Sequence, residues 1–410
     1  LNAIEQTIVE SRDPVGQFRP DPTSLLDLPH VQSPGLHHAI GEDQTALTVH
    51  RVAAEAWDRT IEGFDDICQE QMRTYSALRW PSCDLECLVF RQNDSGSEEI
   101  VGGALMMLRR LPAGLGTFAI CKWGPMLKSA GADAAGLYRR MFAALKAEYA
   151  DRRGFILSIM PHCVDVANER VESDLLALGF VSSANTLFPQ RYYVDLQFSE
   201  EQHRKLLHQK WRYHLGKSER AGLTVECADG DRLPEFTALY EQMVDRKKFP
   251  DFSAFMTLPG LVTCDAAALR PRLFFVRHQN KVIAGAAIFT AGRKAVYLYG
   301  ATDECALKLR AGYFMHWEII KWLKANAAAR WYDLGGTDGF TGLRQFKSGM
   351  VGQAGYIRSA LPGFHYARSA RRLRIALAVF KLRDYAIRAR TELMVRVKGS
   401  ARSDQIAEKA

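Results

Sequence analysis

Apolar and polar positions follow the same order twice along this chain: a helix, a three-strand meander, a second helix and a closing strand. In the first half, strands are predicted at Cys83–Arg91, Ile100–Arg110 and Thr117–Leu127, with a hairpin loop at QNDSGSEE. A helix over about 62–77 precedes them. Gly136–Ala150 reads as a helix because Leu137, Met141, Leu145 and Tyr149 recur every four residues. A strand at Gly154–Met160, a helix near 170–178, a turn at Gly179-Phe180 and a strand at Tyr192–Leu196 follow. After Ser199 the order begins again. A long basic helix, Glu201–Ala221, leads to a strand at Leu223–Cys227 and a helix at Pro234–Arg246. Strands follow at Arg272–His278, Lys281–Thr290 and Ala295–Ala301, then a helix at Gly312–Ala325 with Phe314, Ile319 and Leu323. Arg330–Leu334 is the closing strand.

The parallel extends to residues. LVFRQN…EIVGGALMML matches FVRHQN…KVIAGAAIF, and GLYRRMFAALKAEYADRRGFILSIMP matches GYFMHWEIIKWLKANAAARWYDLGG. Each half reads as helix, antiparallel meander, helix and parallel strand, an α/β arrangement of the α+β mixed-sheet kind. It resembles the GNAT acyltransferase fold in tandem. At 410 residues the chain divides into an extended Pro-, Asp- and Ser-rich lead-in (1–45), two such domains (46–199 and 200–366) and a basic helical tail (367–410).

Charge changes the picture only at the tail. The net charge is +8, and residues 368–398 hold ten Lys or Arg against two acids, 10 − 2 = +8, so the body is near neutral. That tail fits a helix packed on the body, a tRNA-binding segment or a contact with an anionic membrane surface. The eight cysteines are scattered without a C-x-x-C pair, as expected of reduced thiols in the cytoplasm. Cys83 and Cys87, four apart on a strand, stand about 13 Å apart, too far for one metal. His203, His208 and His214 do not share a helix face, so no metal is expected there. The opening LNAIEQTIVESRDP lacks a basic region followed by an apolar core, and no apolar run reaches about 18 residues. We expect neither signal peptide nor membrane span.

Candidate chemistry concentrates in Trp331–Gly355, WYDLGGTDGFTGLRQFKSGMVGQAG. A short strand ends at Asp333-Leu334, and Gly335, Gly336, Gly339 and Gly342 form a loop whose backbone can approach a ligand. That loop is expected to deliver Arg344, Phe346 and Lys347 past the strand end, where α/β folds place their sites. Asp333 suits a base, or an anchor bonded to the glycine loop. Tyr297 and Tyr299 alternate on one expected strand face, with core packing as the plainer role.

Four segments carry a family resemblance: Lys122-Trp123-Gly124-Pro125-Met126; Pro189-Gln190-Arg191 with Val194-Asp195-Leu196; Lys210-Trp211-Arg212-Tyr213-His214-Leu215 followed by Ala221-Gly222-Leu223-Thr224-Val225; and Asp333-Leu334-Gly335-Gly336 with Gly342-Leu343 and Phe346-Lys347. Over roughly residues 50–365 the chain resembles the Fem-type peptidyltransferases and the BioF2-like acetyltransferase group, which are tandem GNAT-like proteins. It departs from them at Trp123, where the family has Arg, and in lacking the helical arm some members insert in the second domain.

The resemblance implies transfer of an aminoacyl or acyl group to an amine. Lys347 falls on the family's Phe-Lys pair and is the expected cation for the oxyanion. Phe346 is expected to cover the acceptor site, with a core aromatic as the plainer role. Arg344 and Arg212 are expected to meet phosphates, with a helix-surface charge as the alternative for Arg212. Tyr213, Tyr299, Gly335, Gly336 and Lys122 are expected in the substrate surface. The loop Thr302–Gly312, TDECALKLRAG, lacks the glycine pattern that holds the coenzyme A pyrophosphate. The expected co-substrate is therefore aminoacyl-tRNA, with acyl-CoA as the alternative and no bound cofactor. The expected acceptor is an amine of a cell-wall precursor, glycan or secondary metabolite, nucleotide- or lipid-linked. The other readings are a CoA-dependent N-acyltransferase of polysaccharide assembly and a catalytically silent binding protein of the same fold.

Overall fold

The computed structural model describes residues 47–94, 97–111, 114, 116–131, 133–163, 166–183, 189–247, 254–337 and 339–378. The lead-in and the tail beyond residue 378 lie outside these. So do Phe380 and Tyr385, two of the tail's apolar positions.

Two mixed sheets organise the chain. In the first unit β1 (Thr48–Val52) precedes helices α1 (Trp57–Ile61) and α2 (Arg73–Arg79), with a 3-10 turn at Gln69–Gln71 between them. The single helix expected over 62–77 is thus broken. Strands β2 (Asp84–Asp94), β3 (Ser97–Arg110), β4 (Thr117–Lys122) and β5 (Met126–Leu127) form the meander. Helix α3 (Ala134–Leu145) runs on as a π-helical segment, Lys146–Arg152, into β6 (Ile156–Met160), α4 (Asn168–Ala177) and β7 (Val181–Ser182).

The second unit opens with β8 (Gln190–Asp195), then α5 (Glu200–Leu206) and α6 (Gln209–Glu219). The long helix expected at Glu201–Ala221 breaks at Leu207-His208 because its backbone is used elsewhere. Gln353 N–H donates to Leu206 O, and His208 N–H donates to Gly349 O. Strand β9 (Leu223–Ala228), α7 (Leu233–Lys247), α8 (Leu258–Val262), β10 (Arg272–His278), β11 (Lys281–Phe289) and β12 (Lys294–Thr302) follow. The unit ends with α9 (Glu304–Leu309), α10 (Ala311–Asn326), β13 (Trp331–Asp333), α11 (Thr341–Val351) and β14 (Gly355–Ser359), and β15 (Phe364–Tyr366) comes last.

The first sheet runs β1-β2-β3-β4-β6-β15-β7, with β5 on β3; the second runs β14-β8-β13-β12-β11-β10-β9. The units therefore exchange strands. Residues 190–195, placed before the expected boundary at 199/200, pair in the second sheet, and residues 364–366 return to the first. A cut at 199/200 separates β8 from its own sheet.

Three cores follow. One is shared by the units and joins Trp57, Tyr75, Met107 and Phe118 to Phe236, Leu261, Phe275 and Tyr299; Leu373 and Ala376, at the start of the tail, complete it. The outer face of each sheet packs on its own helices, α6 and α10 in the second unit and α3 and α4 in the first. No helix among the described residues is long and apolar enough to cross a membrane.

Candidate functional site

Parallel strands part in only one of the two sheets. In the first unit β4 and β6 pair from Phe118–Ile156 to Lys122–Met160, where both strands end. In the second, β12 and β13 pair only at Lys294–Trp331, Ala295–Tyr332 and Val296–Asp333, while β12 continues to Thr302. The chain leaving β13 turns through Gly335 (φ +74°), a conformation that favours glycine. Where the strands part, β12, the glycine turn, α10 and α11 bound a wedge filled by Tyr297, His316 and Lys347.

A β-bulge aims a side chain at that wedge. Between Ala287–Tyr299 and Ile288–Tyr297 the register shifts, leaving Leu298 as the extra residue. Tyr297 and Tyr299, expected on one face, therefore point to opposite sides. Tyr299 lies in the shared core, donating to Ala254 O (2.7 Å) and bonded to the Thr257 hydroxyl (2.9 Å), away from the substrate surface expected for it. Tyr297 turns to the helix layer. A Cβ at Gly300 would sit 1.6 Å from its hydroxyl, so any larger residue there must displace the Tyr297 ring.

Lys347 rises into the wedge from α11. Arg344, Phe346 and Lys347 stand on this helix, not on the loop expected for them. Lys347 is buried, donates to Gly336 O and lies 6.0 Å from the Tyr297 ring centroid. Phe346 walls the same space, 5.5 Å from His316, 4.9 Å from Tyr313 and 6.0 Å from Trp211. His316 is the residue the sequence reading missed. It is buried on α10, 4.9 Å from Tyr297, with Nδ1 3.0 Å from the Tyr332 hydroxyl. The available signal was a lone imidazole in line with Ile319, Ile320 and Leu323 on an otherwise apolar helix face.

Asp333 grips the other end of the glycine turn. Its Oδ1 accepts from Gly335 N–H (2.8 Å), and its Oδ2 accepts from Arg191 Nε (3.2 Å) and Nη2 (2.8 Å). It is fully buried. With both oxygens engaged, it anchors the turn and does not stand as the free base of the first expectation. Arg191 in turn lies 4.2 Å over the Trp123 ring.

The other candidates fall outside the wedge. Lys122 is buried at the end of β4, 4.7 Å from the Trp80 ring centroid. Arg212, expected on phosphate, commits Nη1 to the carbonyls of Lys205 (2.7 Å) and Leu207 (2.5 Å), closing α5. Arg344 is exposed in the first turn of α11. Tyr213 is 65% exposed beside His214, a ring on which burial and then the charges of Arg310, Lys210 and Lys217 act to disfavour protonation. Tyr213 thus stands in a basic surface.

Burial and then the charge of Lys347 push His316 down to about 3. Burial, then Lys324, pushes His203 to about 4, and burial pushes His365 to about 4. Unfolded, each titrates near about 6.5. As pH falls below that, the unfolded chain takes up protons the folded chain refuses, so stability falls between about pH 6.5 and about pH 3. Each histidine contributes a slope of up to about 1.4 kcal/mol per pH unit. Urea unfolding at about pH 7.5 and about pH 5 should show this loss, and a smaller one in His316→Gln; equal stabilities at the two pH values contradict it.

The whole arrangement can be set beside known proteins. A family model described as an acetyltransferase (GNAT) domain matches residues 203–348. The crystal structure of FemX superimposes with a TM-score of 0.62 at 15% identity, over 78% of this chain and 97% of that one. The fold is that of FemX. A conserved protein of unknown function from Bacteroides thetaiotaomicron gives a TM-score of 0.50 at 12% identity, over 78% of this chain and 98% of the other. The C-terminal domain of a putative lysylphosphatidylglycerol synthetase from Agrobacterium fabrum gives 0.48 at 14%, over 82% and 95%. Comparison with curated proteins by sequence finds no match. The GNAT match falls on the unit that holds the wedge.

Proposed function

We infer that this chain is an acyltransferase whose wedge moves an aminoacyl group from a charged tRNA to an amine. The observation that carries the reading is Lys347, a buried ammonium held at the glycine turn beside a neutral imidazole. Attack of a neutral amine on an ester forms the C–N bond and leaves a negative oxygen, which Lys347 Nζ is placed to meet. A ring pushed down to about 3 takes up a proton poorly. His316 therefore acts as an acceptor that orients the amine's N–H, through Nε2 since Nδ1 faces Tyr332. The amine proton ends on the leaving oxygen as the C–O bond breaks.

Two features favour a tRNA donor over coenzyme A. The chain leaving β12 enters α9 with Asp303 at its cap, Oδ1 accepting from Ala306 N–H (2.8 Å), so a carboxylate stands at the entry to the segment leading to α10 and opposes a pyrophosphate there. Lys210, Lys217 and Arg310 around His214, with exposed Tyr213 beside it, offer charge and a stacking face to a single-stranded RNA end. The acceptor we propose is an amine of a cell-wall precursor, glycan or secondary metabolite, reached in the cytoplasm or at the inner membrane surface. The GNAT match favours a second reading, a CoA-dependent N-acyltransferase.

Titration with charged tRNA and, separately, acetyl-CoA distinguishes them. Three phosphate contacts predict tRNA binding that weakens about 20–40-fold between about 50 and 200 mM salt. Saturable acetyl-CoA binding with no affinity for tRNA overturns the first reading in favour of the second.

A further inference from the structure

The seam between the two units holds charges that the wedge does not use. Lys294 opens β12 and, by alternation with Val296, faces the seam; Ala295 and Tyr297 face the helices. It is 2% exposed and its Nζ has no hydrogen-bond partner. Arg293 N–H donates to Asp65 O (2.7 Å), which sets the start of β12 against the segment that leads into the 3-10 turn Gln69–Gln71 of the first unit, where Glu70 is 5% exposed and Gln69 7%. Glu70 Oε2 and Gln69 Oε1 also lack partners. Their neighbour Gln71 is fully engaged, donating to Lys122 O (2.6 Å) and accepting from Leu105 N–H (2.8 Å). The turn is thus firmly placed, and it presents two bare acceptors.

Both charges act on the same space. That of Lys294 bears on Cys68, His162 and Cys163, and that of Glu70 on Cys68 and Arg191. His162 lies 3.8 Å from Asp333 and stacks on Trp123 at 4.0 Å. Arg191 and Asp333 satisfy each other, and Arg358 is bonded to the carbonyls of Cys163 and Val166. Asp66, whose charge also bears on Cys68 and Cys163, accepts from the Tyr138 hydroxyl. Lys294 Nζ and Glu70 Oε2 are left, one from each unit, and no hydrogen bond joins them. Buried charges are retained at such cost where something meets them.

The donor and acceptor inventory narrows what that is. A phosphate suits Lys294 and is repelled by Glu70; a simple amine suits Glu70 and is repelled by Lys294. A metal cation is likewise opposed by Lys294. A ligand with an ammonium and a carboxylate satisfies both, because three N–H groups can serve Glu70 Oε2 and Gln69 Oε1 while a carboxylate oxygen accepts from Lys294 Nζ. We propose that the seam binds a free α-amino acid, its ammonium on Glu70 and Gln69 and its carboxylate on Lys294. The proposal stands apart from the transfer reading, since it concerns binding on the face of β12 opposite Tyr297.

Calorimetric titration of the full chain with each standard amino acid tests it, with N-acetylated amino acids, short carboxylates and simple primary amines as separate arms. Saturable binding of at least one free amino acid is expected, weakened tenfold or more by N-acetylation and by either Lys294→Met or Glu70→Gln. Circular dichroism confirms that each variant folds, and either variant alone suffices for the reading. The proposal is overturned if no amino acid binds, if carboxylates or amines alone bind as well, or if both folded variants bind like the parent. The first of these outcomes leaves water as the only partner of these groups.

Discussion

Lys347→Met is expected to lower the rate of acyl transfer about 10²–10³-fold while leaving donor affinity within a few-fold, the loss typical of removing one oxyanion donor. Methionine keeps the length and apolar stem of lysine, so the contacts of α11 with Trp211, Tyr313 and the sheet should survive. What disappears is the ammonium that holds Gly336 O and faces Tyr297 and His316. Because the charge of Lys347 also helps keep His316 neutral, the variant should raise the pH at which that imidazole titrates. Rate and affinity measured together decide the matter. A variant that turns over within about threefold of the parent removes Lys347 from the chemistry and returns it to holding the turn.

The second large effect concerns stability. Arg191→Ala should cost about 3–5 kcal/mol, because it leaves Asp333, fully buried, without its counter-charge. Arg191 lies on β8, the strand that crosses from the first unit, and Asp333 ends β13 beside it. The same pair thus ties the exchanged strand to the glycine turn. Urea unfolding measures the loss; a cost below about 1 kcal/mol would show that Asp333 does not depend on this partner. Turnover should fall as well, since Asp333 Oδ1 fixes Gly335 and with it the carbonyl of Gly336 that Lys347 grips.

Much of this fold is legible in residue pattern. Strands Arg272–His278 and Lys281–Phe289 follow from the continuous apolar runs on either side of Gln279-Asn280, both at positive φ in the turn. Helix Ala311–Asn326 follows from its apolar stripe. What escapes pattern is set by partners distant in sequence. Nothing local to Gln190–Asp195 or Phe364–Tyr366 says which sheet each joins. Thr341–Val351 reads as a loop because Gly342 and Gly349 are poor helix formers. It is a helix because Gly349 lets α11 close on Trp211, where an added Cβ would stand 3.1 Å from the indole.

The site divides in the same way. Gly335 and Gly336 could be singled out as residue types at a strand end, and Phe346 and Lys347 through the resemblance to the family's Phe-Lys pair. The bulge at Leu298 that separates Tyr297 from Tyr299, and the paired oxygens that make Asp333 an anchor, are properties of packing.

One measurement bears most directly on the central claim. Full-length protein is incubated with a mixed pool of radiolabelled aminoacyl-tRNA and a panel of amines comprising an amino sugar, lysine and a short peptide. Label is then counted after mild alkali, which hydrolyses the ester to tRNA and spares an amide. The account predicts alkali-stable label with at least one amine, dependent on the protein and lost in Lys347→Met. Alkali-stable label that is absent with every amine, while acetyl-CoA releases free thiol in the same mixture, would contradict it.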